Sequence, residues 1–152
     1  MKTILTPVDF SPATRAVLAT ALELARTTGG DVVLLHAVQP PVITTDYGLS
    51  VEAMRETLAL SEAAAKKQLA HLEKLVAAKG VEVKSRLTNG FAAGNIIEAA
   101  RKTRAAYIVL GSHGHTAVYD LLVGSTTHAV IKKAPCPVVI VPAVPKKRVK
   151  RK

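Results

Sequence analysis

The sequence has no tryptophan and a single cysteine, Cys136. One thiol can form neither an internal disulfide nor a cysteine-rich metal centre, which fits a reducing compartment, and the cytoplasm is the expected location. Aromatic residues are confined to Phe10, Tyr47, Phe91, Tyr107 and Tyr119. They are too few to build the stacking platforms that hold single-stranded nucleic acid. No apolar run approaches the roughly 20 residues of a membrane span. The apolar N-terminal stretch is broken by Pro7 and Asp9, too early for a secretory signal. A soluble protein is expected.

What is present is aliphatic. Of 152 residues, 49% are hydrophobic and 21% charged, the balance of one globular domain with an aliphatic core. The formal charge is +10, but Lys146, Lys147, Arg148, Lys150, Arg151 and Lys152 crowd the last seven positions. The rest of the chain is only mildly basic. The expected organisation is a domain over 1–143 followed by a solvated basic tail over 144–152, which could still make non-specific contact with nucleic acid or acidic lipid.

Five runs rich in Val, Ile and Leu recur between helical patterns: Thr3 to Val8, Val32 to Val38, Val81 to Leu87, Ala106 to Leu110 and Pro137 to Val141. Such runs predict parallel strands buried on both faces. Ser11 and Pro12 predict the start of a first helix, with Ser11 as its cap and Gly29-Gly30 as its end. A second helix is expected from about Val51 to about Lys79. Met54, Leu58, Ala65, Leu69, Leu72 and Val76 form its core stripe. Ala93, Ile96, Ile97 and Ala100 mark a third helix, and Ala129 and Val130 a fourth. Gln39 to Ser50 reads as a loop long enough to fold over a site. The alternation predicts a doubly wound α/β fold: a five-stranded parallel sheet with helices on both faces. Ligands of such sheets bind beyond the carboxyl ends of the strands, where strand order reverses.

At that edge, after the fourth strand, stands Gly111-Ser112-His113-Gly114, and nine residues later Gly124-Ser125 opens the fourth helix. Glycines permit close backbone approach and positive φ, and a helix N-terminus presents N–H groups to an anion. The pattern therefore predicts a phosphate cradle. Asp9 ends the first strand on the same edge, placed for a ligand contact or for a turn. His113 and His115 lack a carboxylate partner in sequence and are not read as catalytic. His36 is expected to be a satisfied core histidine. His71 and His128 have no ligand-spaced partner, so no metal site is expected, and Cys136 is expected to be inert.

These residues resemble the universal stress protein family, in its ATP-binding branch. The resemblance is carried by Ile4-Leu5-Thr6-Pro7-Val8-Asp9-Phe10-Ser11, by Leu34-Leu35-His36-Ala37-Val38, by Ile108-Val109-Leu110-Gly111-Ser112-His113-Gly114, by Gly124-Ser125, and by Ala134-Pro135-Cys136-Pro137-Val138-Val139-Ile140-Val141. Gly111, Gly114, Gly124 and Ser125 satisfy the family's G-x2-G-x9-G-[ST] spacing. The resemblance implies that Asp9 contacts the ribose or adenine side and that the backbone at Ala37 holds the adenine edge. It also implies a homodimer through the last strand. Two positions depart from the family pattern: Ala37 is often a larger aliphatic residue, and Ala106 replaces a frequent carboxylate.

The expected nucleotide site comprises Pro7, Val8, Asp9, Ala37, Gly111, Ser112, His113, Gly114, Gly124, Ser125 and Thr126. ATP with Mg2+ is the expected ligand. The expected function is a regulatory nucleotide-binding module in stress response with at most slow hydrolysis. Nothing in the sequence offers a Walker lysine, a nucleophile or a carboxylate pair. The alternatives are an adenylyl-transferring enzyme of related fold and an interaction module working through the basic tail.

Overall fold

A computed structural model of the chain describes residues 1–40, 50–114 and 123–143. Strand and helix alternate through these residues: β1 (Thr3–Pro7), α1 (Thr14–Thr28), β2 (Asp31–Val38), α2 (Val51–Ala77), β3 (Val83–Asn89), α3 (Ala92–Thr103), β4 (Tyr107–Gly111), α4 (Ser125–Lys133) and β5 (Val138–Val141). All strand pairs are parallel, in the order β3-β2-β1-β4-β5. This is the expected single-domain, doubly wound fold.

Successive strand residues point to opposite faces. Ile4 packs with Val17, Leu18 and Ala21 of α1 and with Leu69 and Val76 of α2. Its neighbour Leu5 packs with Ile96 and Ala100 of α3 and with Val130 of α4. A strand covered on both sides has to be apolar without alternation, which is why β1, β2 and β4 are continuous aliphatic runs.

The third run departs from that expectation. It starts at Val83 rather than Val81, and its residues alternate, with Lys84 and Arg86 exposed and Val83, Ser85 and Leu87 half-buried. As an edge strand, β3 is covered on one face only, and period 2 returns. β5 lies at the opposite edge, where Val138, Val139 and Ile140 remain half-buried.

Ser50 caps α2 by accepting the Ala53 N–H at 3.1 Å. The stripe of α2 is core only in its second half: Ala65, Leu69 and Val76 are buried, whereas Met54 and Leu58 are half-exposed. Gly29 ends α1 in the left-handed region, φ 64°, as expected of a glycine there. Ser11 does not cap α1. The N-cap position is Ala13, and no side chain caps it. The Thr14 N–H bonds the Ser11 carbonyl at 3.0 Å instead. The helix therefore opens through a tight turn that leaves the Ser11 hydroxyl buried and unpartnered.

Two features position the site. Strand order reverses between β1 and β4, because β1 leads across to β2 on one side and β3 leads back to β4 on the other. The β1–β4 ladder also stops early. Its pairs are Ile4↔Tyr107 and Leu5↔Ile108, so the carboxyl ends of the two strands separate and a crevice opens between them.

Candidate nucleotide-binding site

The crevice is a cavity of about 780 Å³, within the size range of small-molecule sites. It takes its walls from the ends of β1, β2 and β4 and from the first turns of α1, α3 and α4. Of the residues expected in the site, Pro7, Val8, Asp9, Ala37, Gly111, His113, Gly114, Gly124, Ser125 and Thr126 line it. Ser112 does not. The expected loop Gln39 to Ser50 falls mainly on 41–49, outside the described residues, as do His115 and the basic tail.

On the β1 side, the chain turns at Phe10 with φ 59°. A left-handed backbone is uncommon for a bulky residue and costs on the order of 1 kcal/mol. The strain sits where the fold sets two side chains. The Asp9 carboxylate swings back so that Oδ1 accepts the Ser11 N–H at 2.9 Å. The Phe10 ring packs on the His36 imidazole, with centroids 4.4 Å apart. His36 Nδ1 lies 2.8 Å from the Val8 carbonyl, so Nδ1 carries the hydrogen. His36 is satisfied, as the sequence suggested, yet it is a wall of the cavity rather than a core residue.

Ala37 gains its significance from register. The last β1–β2 pair is Pro7↔Leu35, and the Leu35 carbonyl accepts the Val8 N–H. Ala37, two residues further on, directs its backbone N–H and C=O to that same side, past the point where β1 has turned away. A base edge entering the cavity meets a strand edge there.

On the β4 side, hydrogen bonds brace the glycine loop from behind. The Ser112 N–H bonds the Val141 carbonyl at 2.8 Å, and the Gly124 N–H bonds the Ser112 carbonyl at 2.6 Å. The Ser112 hydroxyl accepts the Ala143 N–H at 3.0 Å and lies 3.1 Å from His113 Nδ1. Thr127 donates its hydroxyl to the Gly111 carbonyl at 2.8 Å. Ser112 is thus a buried strut. Sequence reasoning missed Thr127, Ser11, Thr14, His36 and Ser61 as cavity residues; only their spacing from the strand ends could have marked them.

The Thr127 strut makes a prediction. Thr127→Val keeps the shape of the side chain but leaves the Gly111 carbonyl without its partner. It is expected to cost about 0.5–1.5 kcal/mol of stability, read as a lowered midpoint in urea unfolding with an unchanged slope.

The glycines are required for space rather than for unusual torsions. Among the described glycines, positive φ occurs only at Gly29, Gly80 and Gly90, so the expectation that the cradle turns through positive φ does not hold. A Cβ on Gly111 would lie 3.2 Å from the His113 carbonyl oxygen and 3.5 Å from the Ala13 methyl. A Cβ on Gly114 would collide with Asp9 Oδ2 and lie 3.4 Å from Asp9 Cγ. One on Gly124 would meet nothing closer than 3.5 Å. Gly124 is the N-cap of α4 with no capping side chain, and the first N–H groups of a helix have no intrahelical acceptor. The N-terminus of α4 therefore faces the cavity with donors and the positive end of its dipole.

Among the described residues, no three His, Cys, Asp or Glu side chains converge as a metal site, and no helix is long and apolar enough to cross a membrane. Cys136 is half-buried against the α3–α4 layer. Burial pushes its thiol pKa up, away from the reactive thiolate.

Comparison with known proteins agrees with this geometry. The family model described as "Universal stress protein family" matches residues 1–142. The chain is 30% identical over 141 residues to universal stress protein MJ0531 of Methanocaldococcus jannaschii, covering 92% of this chain and 81% of that one. The solved structure of MJ0577, a universal stress protein of the same organism, superposes with a TM-score of 0.85 at 28% identity, covering 95% of this chain and 98% of that one. The universal stress protein of Archaeoglobus fulgidus, solved in complex with dAMP, superposes with a TM-score of 0.65 at 26% identity, covering 92% and 97%. With a family match over nearly its whole described length and a doubly wound sheet carrying the expected glycine loop, this chain belongs to the universal stress protein family.

Proposed function

We propose that this protein binds ATP in the β1–β4 crevice and acts as a regulatory module whose conformation or partners respond to the bound nucleotide. The observation that carries this reading is the convergence of one strand edge and one anion site on a single cavity. Ala37 presents backbone donor and acceptor at one end, and Gly111, Gly114 and the Gly124-Ser125 helix start surround the other. Gly114 and Gly124 leave bare backbone beside the helix start, which suits close approach of an anion. The dAMP complex of the A. fulgidus relative supports an adenine nucleotide. In the phosphate region, Ser125 and Thr126 add hydroxyls beside the helix N-terminus, and His113 adds a ring nitrogen.

Turnover is slow at most in this reading. The Ser112 hydroxyl stands next to His113, but it is buried and committed to the Ala143 N–H. The Ser112 hydroxyl is therefore not placed as a nucleophile toward the ligand. Mg2+ enters with the nucleotide, held by its phosphates. Half-buried Val138, Val139 and Ile140 on the β5 edge suit pairing with a second copy in a homodimer, since an uncovered apolar edge invites association. The lone thiol fits a cytoplasmic setting.

The test is to denature freshly purified protein, identify any released nucleotide by mass spectrometry, and titrate stripped protein with ATP by calorimetry. An adenine nucleotide released, or ATP bound in the micromolar range or tighter, is the expected result. A preparation that releases none and gives no heat with ATP would refute the proposal.

A further inference from the structure

Two hydroxyls in the cavity wall are buried without a hydrogen-bond partner. Ser11 is 5% exposed and Thr14 is half-buried, and neither Ser11 Oγ nor Thr14 Oγ1 bonds to anything. Both residues line the cavity. Their backbone donors are committed, the Ser11 N–H to Asp9 Oδ1 and the Thr14 N–H to the Ser11 carbonyl, but their side chains are not. A buried hydroxyl left unpaired destabilises the fold that holds it, so two of them side by side mark a surface shaped for something other than stability. The pair stands at the start of α1, a helix of 15 residues with no capping side chain and no acidic residue in its first turn. The first N–H groups of a helix lack an intrahelical acceptor, and the helix dipole is positive there. Gly111 fixes where that end lies. A Cβ on it would be 3.5 Å from the Ala13 methyl and 3.6 Å from Val17 Cγ2, while its carbonyl accepts the Thr127 hydroxyl of α4. Since α1 packs on one face of the sheet and α4 on the other, the two helix starts flank the same glycine from opposite sides.

We propose that the start of α1 is a second oxyanion subsite of the crevice, where the Ser11 and Thr14 hydroxyls donate to phosphate oxygens of the bound nucleotide that the α4 side leaves unbonded. This inference rests on the nucleotide-binding reading above. The chemistry that fits is an acceptor carrying negative charge. Each hydroxyl has a hydrogen to give, the helix start favours an anion, and hydrogen bonds to an ionised acceptor are the strong ones. A phosphate presents oxygens in several directions, so the phosphate chain can meet both helix starts at once. Ser11 and Thr14 are then affinity-determining residues that burden the unliganded fold and are satisfied on binding.

Ser11→Ala and Thr14→Val remove the hydroxyls with little change of shape, and calorimetry of the native and variant full chains with adenosine, AMP, ADP and ATP reads the effect. Each variant is expected to lose about tenfold in affinity for ATP and to bind adenosine as the native protein does. The shortest phosphate chain at which the loss appears identifies the group that is held. Thr14→Ser, which keeps a hydroxyl, is expected to retain the native affinity for ATP. Urea unfolding without ligand is the readout that a purely structural role would move the other way: deleting an unpartnered hydroxyl leaves the midpoint unchanged or raises it. A lowered midpoint in both variants, an unchanged ATP affinity, or an equal loss for adenosine and ATP overturns the proposal and leaves nucleotide binding intact. A native protein that binds no adenine compound overturns the nucleotide reading itself, and this one with it.

Discussion

Gly114→Ala is expected to reduce ATP affinity by about tenfold to a hundredfold, the equivalent of about 1–3 kcal/mol of overpacking, while leaving the fold intact. Gly114 is exposed, so the new methyl disturbs no core packing. It does enter the space of Asp9 Oδ2. The carboxylate can turn aside only by giving up its bond from the Ser11 N–H. The methyl and the carboxylate together then fill the place of the phosphate. The matched control is Gly124→Ala, whose Cβ would meet the Ser112 carbonyl at an ordinary 3.5 Å and whose φ of −71° any residue adopts. It is expected to change affinity by less than about 0.5 kcal/mol. Calorimetry of both variants beside their thermal midpoints checks the pair. Equal losses at the two positions would show that the glycines act together through backbone flexibility and not through the space over Asp9.

The largest expected effect on stability lies at the centre of the sheet. Leu5 is fully buried in the middle strand, packed against Ile96, Ala100 and Val130. Leu5→Ala is expected to cost about 2–5 kcal/mol, because it removes buried surface and leaves a cavity between layers that cannot close on both sides of a sheet. For a chain of this size the thermal midpoint falls by on the order of 10 °C, measurable by calorimetric or circular-dichroism melting. The same substitution at Leu60, which is 73% exposed on α2, should shift the midpoint little.

The two predictions separate what could be read along the chain from what could not. Continuous aliphatic runs between amphipathic helices are enough to specify a sheet covered on both faces, so the doubly wound class was legible in Thr3 to Val8, Val32 to Val38 and Ala106 to Leu110. The alternation Val83-Lys84-Ser85-Arg86-Leu87 also lay in the sequence, and it marks β3 as an edge strand. The serine–proline pair before α1 was a weaker guide. A serine can cap a helix or sit in the turn before it, and the choice depends on where the β1–α1 loop must pass. That loop has to deliver Asp9 to Gly114, and the Ser11 N–H is used to hold the Asp9 side chain.

The sequence by itself determined the fold class, the sheet edge that carries the site, and the spacing of Gly111, Gly114, Gly124 and Ser125. Each of these follows from local periodicity and from residue type at a strand or helix end. Tertiary structure alone decided why each glycine is there. Gly111 makes room for α1 and the His113 carbonyl, Gly114 for the Asp9 carboxylate, and Gly124 is sterically the least constrained. It alone decided that Ser112 is a strut, that Thr127 holds the loop, and that His36 is a wall of the cavity. The physical reason is range. Periodicity and capping act within a few residues, whereas Asp9 and Gly114 are joined only after β1 and β4 have paired at Leu5↔Ile108 and then separated to open the crevice between them.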